Sequence, residues 1–218
     1  MEFTGFGEYA IDFFDGLAVD NSKAYWDDQK HVYLSDVRAP MEALLGALEA
    51  EFGKGKVFRP YRDVRFSKDK TPYKDHCGGV VELGRGGGAH YVQIGSEGLF
   101  VGGGSFAMAP DQLARYRESV ADPVRGEALA GLLGKLGEQG WEVRGDRLKR
   151  APKGYAPDHE RIELLKHRRL FVVKVWPPDD VLHEPACLDR VRAAWSQVTP
   201  FVDWCADHIG LSETGFRR

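Results

Sequence analysis

Apolar residues in the first quarter of the chain follow a helical pattern. They recur every four residues between Tyr9 and Leu17, which predicts an amphipathic helix. The polar run at residues 20–22 is typical of a helix start and leads into a second predicted helix over residues 23–34. A third helix is predicted over residues 40–52, because it opens on a proline and is followed by a glycine.

The middle of the chain instead predicts short strands. Residues 80–83, 90–94 and 99–101 are apolar or alternating runs bounded by glycine. The glycine-rich stretches at residues 84–88 and 95–98 are predicted to be hairpin loops. The first also satisfies a G-x-G-x-x-A dinucleotide pattern, but that motif must open a helix, and a strand is predicted to follow it here.

The C-terminal half mixes both types of element. Helices are predicted from Pro110 and over residues 123–139, and a turn over residues 144–146 is flanked by two short extended runs. Residues 170–176 form the clearest strand, and residues 188–209 form a final helix.

Helices and strands therefore come in blocks. This order predicts an α+β fold with a mainly antiparallel sheet, on which N-terminal, middle and C-terminal helices pack. At 218 residues, we expect a single α+β domain over residues 1–218.

Composition narrows the class of protein. The hydrophobic fraction of 43% and net charge of −3 are typical of a globular protein that does not coat nucleic acid or membrane. Three widely spaced cysteines imply no disulfide framework, and no signal peptide or membrane span is predicted, so we expect a cytoplasmic protein. The seven histidines form no H-E-x-x-H motif and no zinc-ligand spacing, so no metal and no cofactor are expected.

One segment departs from this near-neutral background. Residues 59–74, here called the basic segment, carry +4, while the remainder of the chain carries −7. Arginine and lysine side chains are those that hold phosphates and carboxylates. The basic segment therefore predicts a site for an anion. Its ligand-binding candidates, together with Lys153 from a later loop, are Arg59, Arg62, Arg65, Ser67, Lys68, Lys70 and Lys74.

Two prolines, Pro60 and Pro72, bracket most of this segment. If residues 61–67 form a strand, Val64 and Phe66 face the core while Asp63 and Arg65 project together. Residues 67–72 would then be a turn whose hydroxyls and amides help to cradle an anion.

An internal salt-bridge network is the alternative. It would join Asp63 to Arg62 or Arg65, and Asp69 to Lys68 or Lys70. Two acids cannot neutralise six bases, so at least four cations would still need other partners.

Candidates for proton transfer are few. Asp63, Tyr73 and His159 are the catalytic candidates, with His159 following a loop that contains Lys153. His159 is also explained as a locally bonded residue at a helix start capped by Asp158. Trp26 and its aromatic neighbours either line a pocket or belong to the core.

The sequence of residues 62–74, RDVRFSKDKTPYK, resembles the signature of a bacterial and fungal family, domain of unknown function 2461. Further likenesses include Asp20-Asn21 ahead of Trp26, where the family pattern has paired asparagines, and the PKGY stretch at residues 152–155. The resemblance covers most of the chain. It implies a fold and its boundaries, but no activity.

Three functions from different classes stay open. The first is an enzyme or sensor for a small phosphate- or carboxylate-bearing ligand. The second is a nucleic-acid-binding module, since aromatic residues lie between the arginines and lysines of the basic segment. The third is a structural or partner-binding protein in which the basic segment is an internal clamp. The sequence assigns no oligomeric state.

Overall fold

The computed structural model describes residues 2–65 and 67–213. In chain order, its helices are α1 (Ala10–Val19), α2 (Lys23–Val32), a π-helix (Tyr33–Arg38), α3 (Ala39–Phe52), α4 (Pro110–Ala121), α5 (Pro123–Glu138), α6 (Ile162–Leu165), a 3-10 helix (Asp180–His183) and α7 (Ala186–His208).

Six strands form one antiparallel sheet in the order β1-β2-β3-β4-β6-β5. Their bounds are β1 (Lys56–Val57), β2 (His76–Glu82), β3 (Ala89–Gly95), β4 (Gly98–Ser105), β5 (Glu142–Arg144) and β6 (Leu170–Trp176). The predicted α+β class with a mainly antiparallel sheet is therefore confirmed.

Most predicted elements are confirmed, and the differences have local causes. The glycine-rich loops join β2 to β3 and β3 to β4, as expected for hairpins. Ser22 caps α2 by accepting a hydrogen bond from the Tyr25 amide at 3.2 Å. Tyr9 was wrongly placed on the α1 stripe, because it precedes the helix and is 55% exposed. The second and third predicted helices are joined by the π-helix without a break.

The turn predicted at residues 144–146 is also corrected. β5 does not pair with the run that follows it, but with β6, where Arg144 lies opposite Phe171. Arg147 bridges to His167 instead. A strand cannot be assigned its partner from its own pattern, because the partner is distant in sequence.

Backbone contacts divide the chain into two compact units. The first holds the described residues within 1–81, 91–101 and 175–193, and the second those within 82–90, 102–174 and 194–213. The expectation of one domain stays a prediction.

Each unit has its own buried apolar side chains. In the first, the π-helix and α3 bury Val37, Met41 and Leu44 completely. In the second, Tyr116 and Trp195 are fully buried. None of the helices in the described residues combines the length and apolarity that a membrane span needs.

A buried arginine ties two helices of the second unit together. The Arg161 side chain is 8% exposed. It donates to the carbonyls of Val120 at 2.8 Å and Ala121 at 3.3 Å, at the end of α4. Terminal helix carbonyls lack partners within their own helix, so Arg161 acts as a C-terminal cap. Gly126 of α5 leaves the space for it.

A pair of glycines on α5 tests this packing. A Cβ at Gly126 would lie 2.2 Å from the Val120 oxygen and 2.5 Å from Arg161 Nε, whereas one at Gly134 meets nothing within 4 Å. We expect Gly126→Ala to lower the free energy of unfolding by about 1–3 kcal/mol through overpacking. Gly134→Ala should raise it by about 0.5–1 kcal/mol through helix propensity. Urea unfolding measures both, and equal shifts would contradict the predicted close packing.

Candidate anion-binding site

The basic segment is a closed loop with a paired base, here called the neck. Tyr61 and Tyr73 form an isolated antiparallel bridge. On either side of it, the Arg62 amide donates to the Pro72 carbonyl and the Lys74 amide to the Pro60 carbonyl, both at 2.8 Å. Residues 62–72 therefore leave and re-enter the protein at one point.

A side chain from the start of α2 completes the neck. The Asn21 amide Nδ2 donates to the Tyr73 carbonyl at 3.1 Å, and the Tyr73 amide donates to Asn21 Oδ1 at 3.0 Å. Asn21 thus makes the two hydrogen bonds that a neighbouring strand would make. It can do so because Ser22, one residue later, is the helix cap.

Aromatic packing fixes the same point. The Tyr73 ring stacks on Trp26 with centroids 4.4 Å apart and planes 9° apart. Both side chains are buried, so the neck is anchored to α2 by a stacked pair as well as by Asn21. Of the two interpretations of Trp26, the structure supports core packing.

The strand predicted over residues 61–67 is not formed in its described part. Tyr61 makes only the isolated bridge, and the backbone then turns. Asp69 causes part of this turning, because its Oδ1 accepts from the Thr71 amide at 3.0 Å and the Thr71 hydroxyl at 2.8 Å. Such an Asx turn curls the chain back. Phe66, predicted to face the core, lies outside the described residues.

Both aspartates of the segment are occupied by its arginines. Asp63 receives Arg65 through two bonds of 2.9 and 2.7 Å. Asp69 receives Arg62 at 2.5 Å, and Arg62 also donates to the Thr71 hydroxyl. Hydrogen bonds from Arg65 lower the pKa of Asp63 to about 2, and bonds from Thr71 and then Arg62 lower that of Asp69 to about 2.

These pairs confirm part of the salt-bridge alternative. Asp63 was expected to bind Arg62 or Arg65 and binds Arg65. Asp69 was expected to bind Lys68 or Lys70, which is wrong, because Arg62 reaches it from across the loop. Thr71 is bonded within the loop, whereas the Ser67 hydroxyl has no partner among the described residues.

The remaining four cations lack a carboxylate partner in the described part of the chain. Lys70 donates to the Val64 carbonyl at 2.9 Å. The Lys74 ammonium lies 5.1 Å from the centre of the Phe58 ring. Arg59 and Lys68 are exposed, without a hydrogen-bond or ion-pair partner among the described residues. Burial, followed by the charge of Arg59, lowers the pKa of Lys74.

We call Arg59 and Lys74 the neck cations. The charge of Arg59 contributes to lowering the pKa of Lys74, which indicates that the two like charges interact at the neck. Arg59 also makes the smallest contribution to lowering the pKa of Asp63, but Asp63 itself is held by Arg65. An anion placed between the neck cations would relieve their repulsion.

The catalytic candidates differ in their surroundings. Asp63 is ionised at neutral pH and, at a pKa of about 2, is a weak base. Burial and the nearby Tyr61 raise the pKa of Tyr73, so its phenol keeps its proton. Lys153 and His159 belong to the second unit, where Lys153 is exposed in a turn.

His159 has a local partner. Its Nδ1 accepts a hydrogen bond from the Arg161 amide at 3.0 Å. The following helix, α6, has only four residues and begins at Ile162 without a side-chain cap, so the expected cap at Asp158 is wrong. No group of three or more potential metal ligands occurs within residues 2–65 and 67–213.

A family model described as "Conserved hypothetical protein (DUF2461)" matches residues 9–204. The chain belongs to this family. The match includes the basic segment and Asn21, and the resemblance seen in the sequence is confirmed. No curated protein and no solved structure gives a significant match to the chain.

Sequence reasoning in this DUF2461 member missed the role of Asn21. It was assigned only to a helix-start cluster, and its partner Tyr73 is 52 positions away. The available signal was the family pattern, which places an asparagine ahead of Trp26. Neither spacing nor hydropathy links the two.

Exchanging an amide and a carboxyl at adjacent positions tests the neck. Asn21→Asp removes the donor to the Tyr73 carbonyl, so we expect a loss of about 1–3 kcal/mol in unfolding free energy. Asn21→Ala removes the acceptor of the Tyr73 amide as well, so amide exchange at Tyr73 should become faster in that variant. The control Asp20→Asn changes an exposed neighbour and should stay within about 0.5 kcal/mol of the parent. If Asn21→Ala left exchange at Tyr73 unchanged, the clamp would be refuted.

Proposed function

We propose that the protein binds a small anion, phosphate- or carboxylate-bearing, at the neck of the basic segment. The observation that carries the proposal is the distribution of its charges. The two aspartates are occupied by Arg62 and Arg65, while the neck cations have no carboxylate partner among the described residues. A half-buried cation such as Lys74, without a neutralising partner and near a like charge, is a feature of functional sites.

The rigidity of the neck supports this proposal. The Asn21 hydrogen bonds and the Trp26 stack hold the backbone beside Lys74, so ligand binding need not order that backbone. A preorganised site loses less entropy on binding. Lys68 and Lys70, farther along the loop, supply additional positive charge that attracts anions at low ionic strength.

The pairing in the loop favours a second function, the internal clamp. Arg62 is half-buried and joins Asp69 to Thr71, so it stabilises the turn rather than facing a ligand. In this proposal, the inner part of the loop is structural and only the neck cations and outer lysines serve binding. Arg65 and Asp63 are exposed, and such pairs contribute little to stability.

The proposed setting is the cytoplasm. Cys77, Cys187 and Cys205 are all unbridged and buried. Burial raises the pKa of Cys77 to about 11 and that of Cys187 to about 12, so these thiols stay protonated at neutral pH. Unpaired cysteines are typical of reducing compartments. The proposal includes no reaction, and Asp63, Tyr73 and His159 stay predictions as catalytic groups.

Pyrophosphate titration, followed by the backbone amide signals of Lys74 and its neighbours in NMR spectra, tests the function. The parent should show saturable shifts at the neck at low salt. Arg59→Gln removes a cation that has no partner among the described residues, so the affinity at these signals should fall about tenfold.

Lys30→Gln is the matched control, because it makes the same change in net charge at an exposed residue of α2. Its side chain has no ion-pair partner among the described residues, so we expect less than about a threefold change. Equal losses in the two variants would indicate only a general charge effect. The absence of saturable shifts in the parent would also contradict the proposal.

A further inference from the structure

A second set of arginines lies in the second unit, away in sequence from the basic segment. Arg144 of β5 is opposite Phe171 of β6, and Arg147 is opposite His167. Opposite residues of an antiparallel pair project to the same side, where their side chains are neighbours. Each pairing thus places an arginine beside a ring, and the two arginines, the histidine and the phenylalanine line one cavity.

A bulge adds a third arginine. Between the two pairings, residues 145–146 oppose residues 168–170, so the β6 side has one residue more. Gly145 permits this arrangement with a φ of +138°, since a Cβ there would lie 1.9 Å from the Arg169 oxygen. Such bulges redirect side chains. Arg169 lines the same cavity as Arg144 and Arg147.

Positive charge exceeds negative charge around this cavity. Arg144 binds Glu142 at 2.7 Å, but Arg147 reaches Glu163 only at 3.7 Å, and Lys166 holds Glu163 at 2.6 Å. The Arg169 guanidinium has no hydrogen-bond or ion-pair partner among the described residues. Four cations thus face two glutamates.

The one aspartate that lines the cavity is already neutralised. Asp146 is bound by Arg168 at 2.5 Å. Arg168 is absent from the cavity lining, although it is next to Arg169 in sequence.

His167 adds a buried polar group. Its Nδ1 lies 2.9 Å from the Arg169 carbonyl oxygen, so this nitrogen carries the proton and donates it. In the neutral ring, Nε2 is then left with a lone pair, and it has no partner among the described residues. Burial, together with the charge of Arg147, lowers the pKa of His167.

The cavity has the size of a small-molecule site. Its volume is about 650 Å³, within the usual range of ligand pockets, roughly 300–1,000 Å³. Phe171 supplies an apolar wall and is backed by Phe106, with ring centroids 4.8 Å apart. The polar and apolar parts of the lining suit a ligand with an anionic head and a flat apolar body.

We propose that this cavity binds an aryl phosphate-like ligand, a phosphate monoester with a planar apolar group. Its phosphate lies among Arg144, Arg147 and Arg169, and its planar group rests near Phe171. Three guanidiniums match the several oxygens of a phosphate better than the two of a carboxylate. Nothing in this inference depends on the site at the neck.

Calorimetric titration of the full chain with phenyl phosphate tests the proposal, and inorganic phosphate is the comparison ligand. We expect phenyl phosphate to bind more tightly, because only it can contact Phe171. Arg169→Gln should weaken phenyl phosphate binding about ten- to a hundredfold. This variant should fold normally, because the side chain has no partner to lose among the described residues.

Arg150→Gln is the matched control, since it removes the same charge from an exposed arginine that does not line the cavity and has no ion-pair partner among the described residues. It should change the affinity by less than about threefold. Equal weakening by the two variants would overturn the site, as would the absence of binding by the parent. Equal affinity for the two ligands would overturn the assigned ligand class. If Arg59→Gln abolished phenyl phosphate binding and Arg169→Gln did not change it, the ligand would bind at the neck. That result would refute this second site.

Discussion

The Asn21 side chain holds the basic segment in place. Its side-chain amide donates to the Tyr73 carbonyl and accepts from the Tyr73 amide, as the backbone of a neighbouring strand would. The edge of the neck is satisfied without extending the sheet, so residues 62–72 are free to curl. The Trp26 ring stacks on the same residue.

The segment divides its six positive charges between two tasks. Arg62 and Arg65 are committed to Asp69 and Asp63, and these bonds shape the loop. The neck cations and the outer lysines have no such commitment in the described part of the chain. The loop therefore contains the ion pairs expected of a structural network together with cations that lack a carboxylate partner in the described residues. Arginines also outnumber carboxylates in the lining of the cavity beside β5 and β6.

Local patterns predicted what depends on neighbouring residues. Strand β6 and the glycine hairpin loops were predictable, because apolar runs and turn residues define them within a few positions. Adjacency limited the partner of Asp63 to Arg62 or Arg65, and the structure shows that it is Arg65. The Asn21 clamp, the reach of Arg62 to Asp69 and the bulge at Gly145 were not predictable, because each depends on chain reversals that hydropathy does not describe. Tyr9 was wrongly included in α1, because helical spacing predicts that a helix forms but not the residue at which it begins.

The most direct test of this account is a crystal structure of the protein soaked with sulfate. The central claim is that the neck cations, rather than the paired arginines of the loop, hold an anion. Sulfate should lie between Arg59 and Lys74, with the Arg62–Asp69 and Arg65–Asp63 pairs intact. Sulfate bound to Arg62 and Arg65 with those pairs broken, or a neck without sulfate, would contradict the claim.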